Sequence, residues 1–154
     1  MIRVSIKRIV RSIYVMRCGY CNLSEAEIGA ELTYDHFQPK TAGGSDETDN
    51  LVYACHACNE FKGDYWGETE GARLLHPLRN DLTPHIQEHE DGRLIGISTA
   101  GELYIRQLQL NRTPLIQFRL NKRVINQLQD RYLSVEARLE QIFARIERIE
   151  KRNR

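Results

Sequence analysis

The spacing of apolar residues predicts one long helix over residues 114–154. After Pro114, apolar residues recur at alternating intervals of three and four, and no further glycine or proline interrupts them. This is the a/d pattern of a heptad repeat, which is typical of a coiled coil. Because the stripe is narrow and its flanks are charged, we expect a homodimer through residues 120–150; a helix that folds back on its own domain is the alternative. The stripe consists of Ile125, Leu128, Tyr132, Val135, Leu139, Ile142, Ile146 and Ile149.

Shorter elements are predicted upstream of this helix. Residues 2–16 place apolar side chains one helical turn apart. Ser24 is a candidate N-cap for a second, short helix with Glu27 at its third position, the spacing of a capping box. Residues 32–37 and 51–54 are predicted strands, and the residues that connect them are typical of a loop because they include proline and two glycines. A helix is predicted to follow over residues 55–63. The apolar residues of the first helix are Ile2, Ile6, Ile9, Ile13 and Met16.

The region before the long helix has weaker patterns. Residues 64–92 are predicted to be irregular, and residues 93–98 and 102–108 to form a β-hairpin around a turn at 99–101. The sequence therefore predicts an α+β fold with four parts. They are a basic N-terminal helix (1–17), a core that contains all four cysteines (18–66), an irregular extension with a β-hairpin (67–113) and a long amphipathic helix (114–154).

Charge is segregated along the chain, although the net charge is only +1. Residues 1–17 are basic and contain no acid, residues 24–70 are acidic with only Lys40 and Lys62 as basic residues, and the C-terminal stretch is basic again. Basic ends around an acidic middle fit a polyanion bound by the ends and a cation bound in the middle. On charge alone, Arg112 and Arg119 are candidate phosphate contacts.

The sequence also predicts the compartment. No apolar run approaches the roughly 18–20 residues that span a membrane. Positive charges interrupt the apolar residues at the start of the chain, so no secretory signal is expected. We therefore expect a cytoplasmic protein of bacterial or phage origin that has no membrane partner.

The four cysteines of the chain form two Cys-x-x-Cys pairs. Two disulfides would be the default in a short secreted chain, but no export signal is predicted here. A close pair chelates metal well because one tight turn points both sulfurs in the same direction. We therefore predict one tetrahedral structural zinc site. Its ligands are Cys18, Cys21, Cys55 and Cys58.

The residues between the two pairs suggest hydrolysis of a phosphodiester. His36 is suited to accept a proton from water, and the adjacent Asp35 points to the opposite face of the predicted strand, where it can bind a metal. Asn59 offers a second hard oxygen, and one carboxylate with one amide oxygen can suffice for Mg²⁺, which keeps several of its waters. Asn50 is placed to orient the His36 ring or its loop, and Lys62 lies on the same helix face as Asn59, where it could contact a phosphate.

Each of these residues also has a structural alternative. His36 could be a core histidine bonded to a backbone carbonyl, and Asn50 could cap the second strand. Asn59 could serve as a helix N-terminal cap, and Lys62 could be a surface residue. Taken one by one, these residues do not decide between the two roles. Their ordered combination favours the catalytic role over the structural one.

The combination resembles the HNH endonucleases, which have a ββα-metal fold. The resemblance covers residues 15–65 and includes Asp35-His36, Gly43-Gly44, Asn50 and the run Cys55-x-x-Cys58-Asn59 with Lys62. It implies that His36 is the general base, that Asn50 orients it, and that Asp35 and Asn59 bind the catalytic metal. Asparagine at the third motif position makes this an HNN variant with two zinc knuckles.

The resemblance implies a metal-dependent endonuclease that acts on DNA, most naturally duplex DNA. One active site per chain would nick one strand, and a dimer could cut both. No sequence-specific recognition module is evident, so a partner protein could supply specificity. The alternative is an adaptor that binds nucleic acid or protein through the zinc-stapled domain and does not cut.

Overall fold

The N-terminal segment forms helix α1 (Val4–Ile13) in the computed structural model, which describes residues 2–153. The predicted helix is present, but its buried face differs from the expected one. Ile6 and Val10 are buried, whereas Ile9 and Ile13 are about half exposed. The difference arises because α1 packs against the strand formed by residues 51–54, and residues four apart present one face to it.

A tight turn at Cys18 leads into helix α2 (Glu25–Ile28). The backbone N–H of Cys18 donates to the carbonyl of Leu23 (2.8 Å), which closes this turn. Ser24 and Glu27 form a capping box at the start of α2, as the sequence predicted. Glu25 accepts two hydrogen bonds from the Arg11 guanidinium (2.6 and 2.5 Å), so α2 is attached to α1.

Two antiparallel strands and one helix follow, in the order expected for a ββα unit. Strand β1 (Thr33–His36) pairs with β2 (Leu51–Ala54) so that His36 lies opposite Leu51. Helix α3 (His56–Lys62) begins directly after β2, with Cys55 as its N-cap. Every residue of β2 is buried, which places this strand at the centre of the core.

The extension contains a small hairpin and a helix. Strands β3 (Ile86–Glu88) and β4 (Leu94–Gly96) pair in an antiparallel manner, and helix α4 (Thr99–Gln107) follows. The strand predicted over residues 102–108 is therefore wrong. Ser98 caps the helix by accepting from the N–H of Gly101, and Tyr104, Ile105 and Leu108 lie on one buried helical face.

Helix α5 (Thr113–Arg152) confirms the long C-terminal helix, and with it the α+β class. The chain divides into two compact units after Ile116. Leu115 is the buried residue of the helix and belongs to the first unit. Among residues 2–153, no helix has an apolar stretch long enough to cross a membrane.

The loop between β1 and β2 predicts a strict requirement for glycine at one position. A Cβ on Gly44 would lie 1.7 Å from the carbonyl oxygen of Gln38, whereas a Cβ on Gly71 would meet nothing within 4 Å. We expect Gly44→Ala to lower the free energy of unfolding by about 1–3 kcal/mol and Gly71→Ala by less than about 0.5 kcal/mol. Urea denaturation of both variants tests this, and equal losses would contradict the close approach.

Candidate active site

The four cysteines converge on one point although 37 positions separate Cys18 from Cys55. Their Sγ atoms all lie within 4.8 Å of one another, and the Sγ atoms of Cys21 and Cys55 are 3.7 Å apart. Two thiolates that each lie about 2.3 Å from one tetrahedral zinc are separated by about 3.8 Å. The cluster therefore fits a structural zinc, and it joins the turn before α2 to the first turn of α3.

Thiols in such a cluster share protons in the absence of metal. Hydrogen bonds from Cys18, Cys21 and Cys58 hold the pKa of the Cys55 thiol far below its ordinary value. Hydrogen bonds from the neighbouring sulfurs raise the pKa of Cys21 and Cys58, so a zinc ion, which binds thiolates, would have to displace protons from these two thiols.

Arg112 lies against the sulfur cluster. Its Nη2 is 3.3 Å from Cys58 Sγ and 3.9 Å from Cys55 Sγ, and its guanidinium lies over the Phe61 ring. Burial opposes the charge of Arg112, but the hydrogen bond to Cys58 raises the pKa of the guanidinium above its ordinary value. The side chain therefore offsets the negative charge of the thiolates, a different role from the phosphate contact suggested by charge alone.

The ring of His36 is held by a carboxylate that the sequence analysis did not identify. His36 Nε2 lies 2.7 Å from Asp46 Oδ1, and Lys40 Nζ lies 2.9 Å from the same oxygen. Hydrogen bonds from Lys40 and then His36 lower the pKa of Asp46 to about 2, so Asp46 is ionised at neutral pH. An ionised carboxylate can only accept a hydrogen bond, so Nε2 carries the ring proton and donates it to Asp46, which leaves Nδ1 as the basic ring nitrogen.

Asn50 organises the loop that carries Asp46. Its Oδ1 accepts from the N–H of Gln38 (2.9 Å), and its Nδ2 donates to the carbonyls of Gln38 and Ser45 (3.0 Å each). The sequence left open whether Asn50 orients the His36 ring or its loop. In the structure its contacts are to the loop backbone, at Gln38 and at Ser45, which is the residue before Asp46.

Asp35 and Lys62 form a buried ion pair. Lys62 Nζ lies 3.0 Å from Asp35 Oδ1, and the two side chains are 1% and 6% exposed. The Tyr20 hydroxyl donates to Asp35 Oδ2 (2.5 Å). Burial raises the pKa of Asp35 above its ordinary value, although the Lys62 charge and the Tyr20 hydroxyl act in the opposite direction.

Lys62 is buried, so it is not the surface residue that the sequence left as an alternative, and its ammonium is directed to protein oxygens where a phosphate contact was predicted. Its Nζ also donates to the carbonyls of His36 (2.7 Å) and Gly63 (3.3 Å). All three N–H donors of the ammonium therefore have protein acceptors. The side chain ties the last turn of α3 to the end of β1.

A cleft of about 300 Å³ brings three of the predicted residues together. Asp35, His36 and Asn59 all line it, and the Asn59 side chain makes no hydrogen bond to any residue among 2–153. Asp64, which the sequence analysis did not identify, adds a further carboxylate at the edge. Carboxylate and amide oxygens around one cleft are suited to a hard divalent cation. The lining is completed by Tyr34, Pro39, Lys40 and Gly63.

Two other histidines lie outside this arrangement. His76 is buried with its ring against the edge of Phe37 (4.6 Å between centroids), and burial, then the Arg79 charge, lowers its pKa to about 4. Its surroundings are those of a core residue. The His56 side chain is 86% exposed, although it lies between Cys55 and Cys58.

The match to known proteins covers the zinc cluster and this cleft. Residues 18–64 match the family model described as HNH endonuclease. The matched segment begins at Cys18 and ends at Asp64, so it contains the four cysteines, strands β1 and β2, and helix α3. The predicted resemblance is confirmed. No curated protein and no solved structure matches the chain.

The two Lys–Asp pairs around the cleft predict different costs of losing a lysine. Lys62→Met leaves Asp35 charged and buried, so we expect a loss of about 3–5 kcal/mol in the free energy of unfolding. Lys40→Met removes a pair whose lysine side chain is 52% exposed, so we expect a loss of less than about 1 kcal/mol. Denaturant unfolding of the zinc-loaded protein measures both losses. Similar losses for the two variants would contradict a larger structural contribution from the buried Lys62–Asp35 pair.

The sulfur cluster predicts about one bound zinc per chain. Chelation of that metal should unfold residues around the cluster, and Cys58→Ser should lower the zinc content and the thermal stability together. His56→Ala provides the matched control, because His56 lies within the same knuckle but its side chain is exposed, and it should retain zinc. Elemental analysis and circular dichroism report the two quantities. A metal-free wild-type protein that stays fully folded would contradict a structural role for zinc.

Proposed function

We propose that this protein is a metal-dependent HNH endonuclease that hydrolyses phosphodiester bonds of DNA. The observation that carries the proposal is the cleft itself. It combines a histidine whose ring is held by an ionised carboxylate with oxygen donors from a strand and a helix, inside the segment that matches the HNH model. This is the set of groups that phosphodiester hydrolysis requires.

Asp35 and Asn59 would hold the catalytic Mg²⁺ or Mn²⁺. The hydrogen bonds from Tyr20 and Lys62 use one position on each Asp35 oxygen, and a carboxylate has about four acceptor positions in all. When bound, the cation supplies charge stabilisation for the phosphate and for the leaving oxygen. The unpartnered amide oxygen of Asn59 is a hard ligand of the kind that both ions accept.

His36 acts as the general base. With its Nε2 proton directed to Asp46, the ring presents Nδ1 to a water molecule in the cleft. Asp46 stabilises the imidazolium that forms when Nδ1 takes the proton, as an orienting carboxylate does for other catalytic histidines. Asn50 keeps Asp46 in reach by holding its loop, and Lys62 keeps the His36 backbone next to Asp35.

Duplex DNA is the substrate we favour. The basic segments at both ends of the chain can neutralise phosphates, and the acidic middle contributes ligands for a cation. One cleft per chain hydrolyses one strand at a time. A homodimer formed through residues 120–150 would provide two such sites, and a partner protein could supply sequence specificity.

Relaxation of supercoiled plasmid tests the proposal. Wild-type protein should nick the plasmid with Mg²⁺ or Mn²⁺, and His36→Ala should lower the rate by a factor on the order of 10²–10⁴ because the general base is lost. Asp46→Asn should cost about 10–100-fold, as expected for a group that acts through another. Gel electrophoresis over a panel of divalent metals measures all three rates.

His56→Ala is the control histidine for this assay, and its rate should equal that of the wild type because its side chain lies outside the cleft. Equal rates for wild type and His36→Ala would overturn the nuclease proposal. The protein would then be the non-cutting adaptor, which binds nucleic acid or protein through its zinc-stapled domain.

A further inference from the structure

The second unit of the chain carries a solvent-exposed apolar stripe. Each of the eight a and d residues of the heptad repeat is 45–64% exposed. The stripe extends along α5 from Ile125 to Ile149 and is longer than three heptads. An apolar surface of this length on a soluble helix indicates an interface.

The residues at the e and g positions, on the two sides of the stripe, differ in charge. If Ile125 is position a and Leu128 is position d, the g positions of the four heptads from residue 125 to residue 152 are all arginine, and the e positions include two glutamates. The g residues are Arg131, Arg138, Arg145 and Arg152, and the e residues are Gln129, Glu136, Phe143 and Glu150.

These arginines are not compensated along their own helix. Side chains on one helix pair with residues three or four positions away. For Arg131, Arg138 and Arg145, no residue at those distances in either direction is acidic. Glu136 accepts a hydrogen bond from Tyr132 (3.0 Å), which uses one of its carboxylate oxygens. The charges at g and e are therefore suited to partners on another helix.

We propose that two copies of this chain associate through α5 as a parallel, in-register coiled coil. In a parallel pair, each g residue faces the e residue of the second copy five positions later. Arg131 then faces Glu136 and Arg145 faces Glu150, each twice by symmetry, and Arg138 faces the ring of Phe143. In an antiparallel pair, g faces g and e faces e, so arginine would oppose arginine and glutamate would oppose glutamate. The charges select the parallel arrangement.

The orientation has a consequence for cutting. Residues 1–116 are continuous with the N-terminal end of this helix, so a parallel coil joins both HNH domains to the same end. An antiparallel coil would join them to opposite ends, roughly 50 Å apart over residues 117–152. The parallel dimer can thus present two clefts to one duplex. This consequence rests on the proposed nuclease function, whereas the arrangement of the helices does not.

Charge reversal in the full-length, zinc-loaded protein tests the pairing. Sedimentation equilibrium should give a dimer for the wild type at micromolar concentration. Arg131→Glu with Arg145→Glu converts four attractive contacts into repulsive ones, so we expect the dimer dissociation constant to rise on the order of tenfold to a hundredfold at low salt. Adding Glu136→Arg and Glu150→Arg restores the pairs with opposite polarity and should return the constant to within a few-fold of wild type.

Disulfide capture tests the orientation. Tyr132→Cys occupies an a position, where a parallel in-register pair brings the two copies of residue 132 together, and oxidation should give a covalent dimer. Ala137→Cys, at position f on the opposite side of the helix, is the matched control and should remain uncrosslinked. An antiparallel pair places a against d, so the copies of residue 132 would not meet.

Three results would overturn the inference. They are a monomeric mass for the wild type at tens of micromolar, a dimer that Arg131→Glu with Arg145→Glu does not weaken, and equal crosslinking through residues 132 and 137. His36→Ala should dimerise like the wild type, because His36 lies in the first unit. Failure of plasmid nicking with an intact parallel dimer would therefore remove the nuclease proposal and leave this one standing.

Discussion

The buried ammonium of Lys62 is the contact on which the arrangement of the candidate site depends. A charge with almost no solvent exposure is tolerated only when oxygen atoms surround it, and Lys62 has three of them. Two of these oxygens belong to β1 and one to the end of α3. The requirement to satisfy the charge therefore fixes the last turn of α3 against the strand that carries Asp35 and His36, and Asn59 comes to the cleft with that helix.

The other end of α3 is held by the sulfur cluster. Cys55 caps the helix and Cys58 lies in its first turn, so a metal shared with Cys18 and Cys21 would join this end to the N-terminal turn. The helix is seven residues long and would be marginal alone. Attachment at both ends explains how so short an element can hold the Asn59 side chain at the cleft. Arg112, the residue before α5, also contacts this end of α3, where its positive charge lies next to the cysteine sulfurs.

Local sequence signals were sufficient to predict a secondary-structure element wherever its residues favour one structure for a clear physical reason. The capping box at Ser24, strand β2, the start of α3 at the second cysteine pair and the long helix α5 were predicted closely. The segment 102–108 was misjudged because a short apolar run is compatible with either a strand or a buried helix face. There, the cap at Ser98 and packing of Tyr104 in the core favoured the helix.

By itself, the sequence determined the resemblance of residues 18–64 to the HNH endonucleases, the pairing of the four cysteines in two Cys-x-x-Cys knuckles, and the candidate histidine and asparagines, because these depend on residue type and spacing along the chain. The tertiary structure decided how those groups are paired. Asp46 could be assigned to His36, and Lys62 to Asp35, only after the loop and α3 had folded back on β1. An electrostatic contact depends on distance and burial in space, and residues ten or twenty-seven positions apart carry no sign of either in their order.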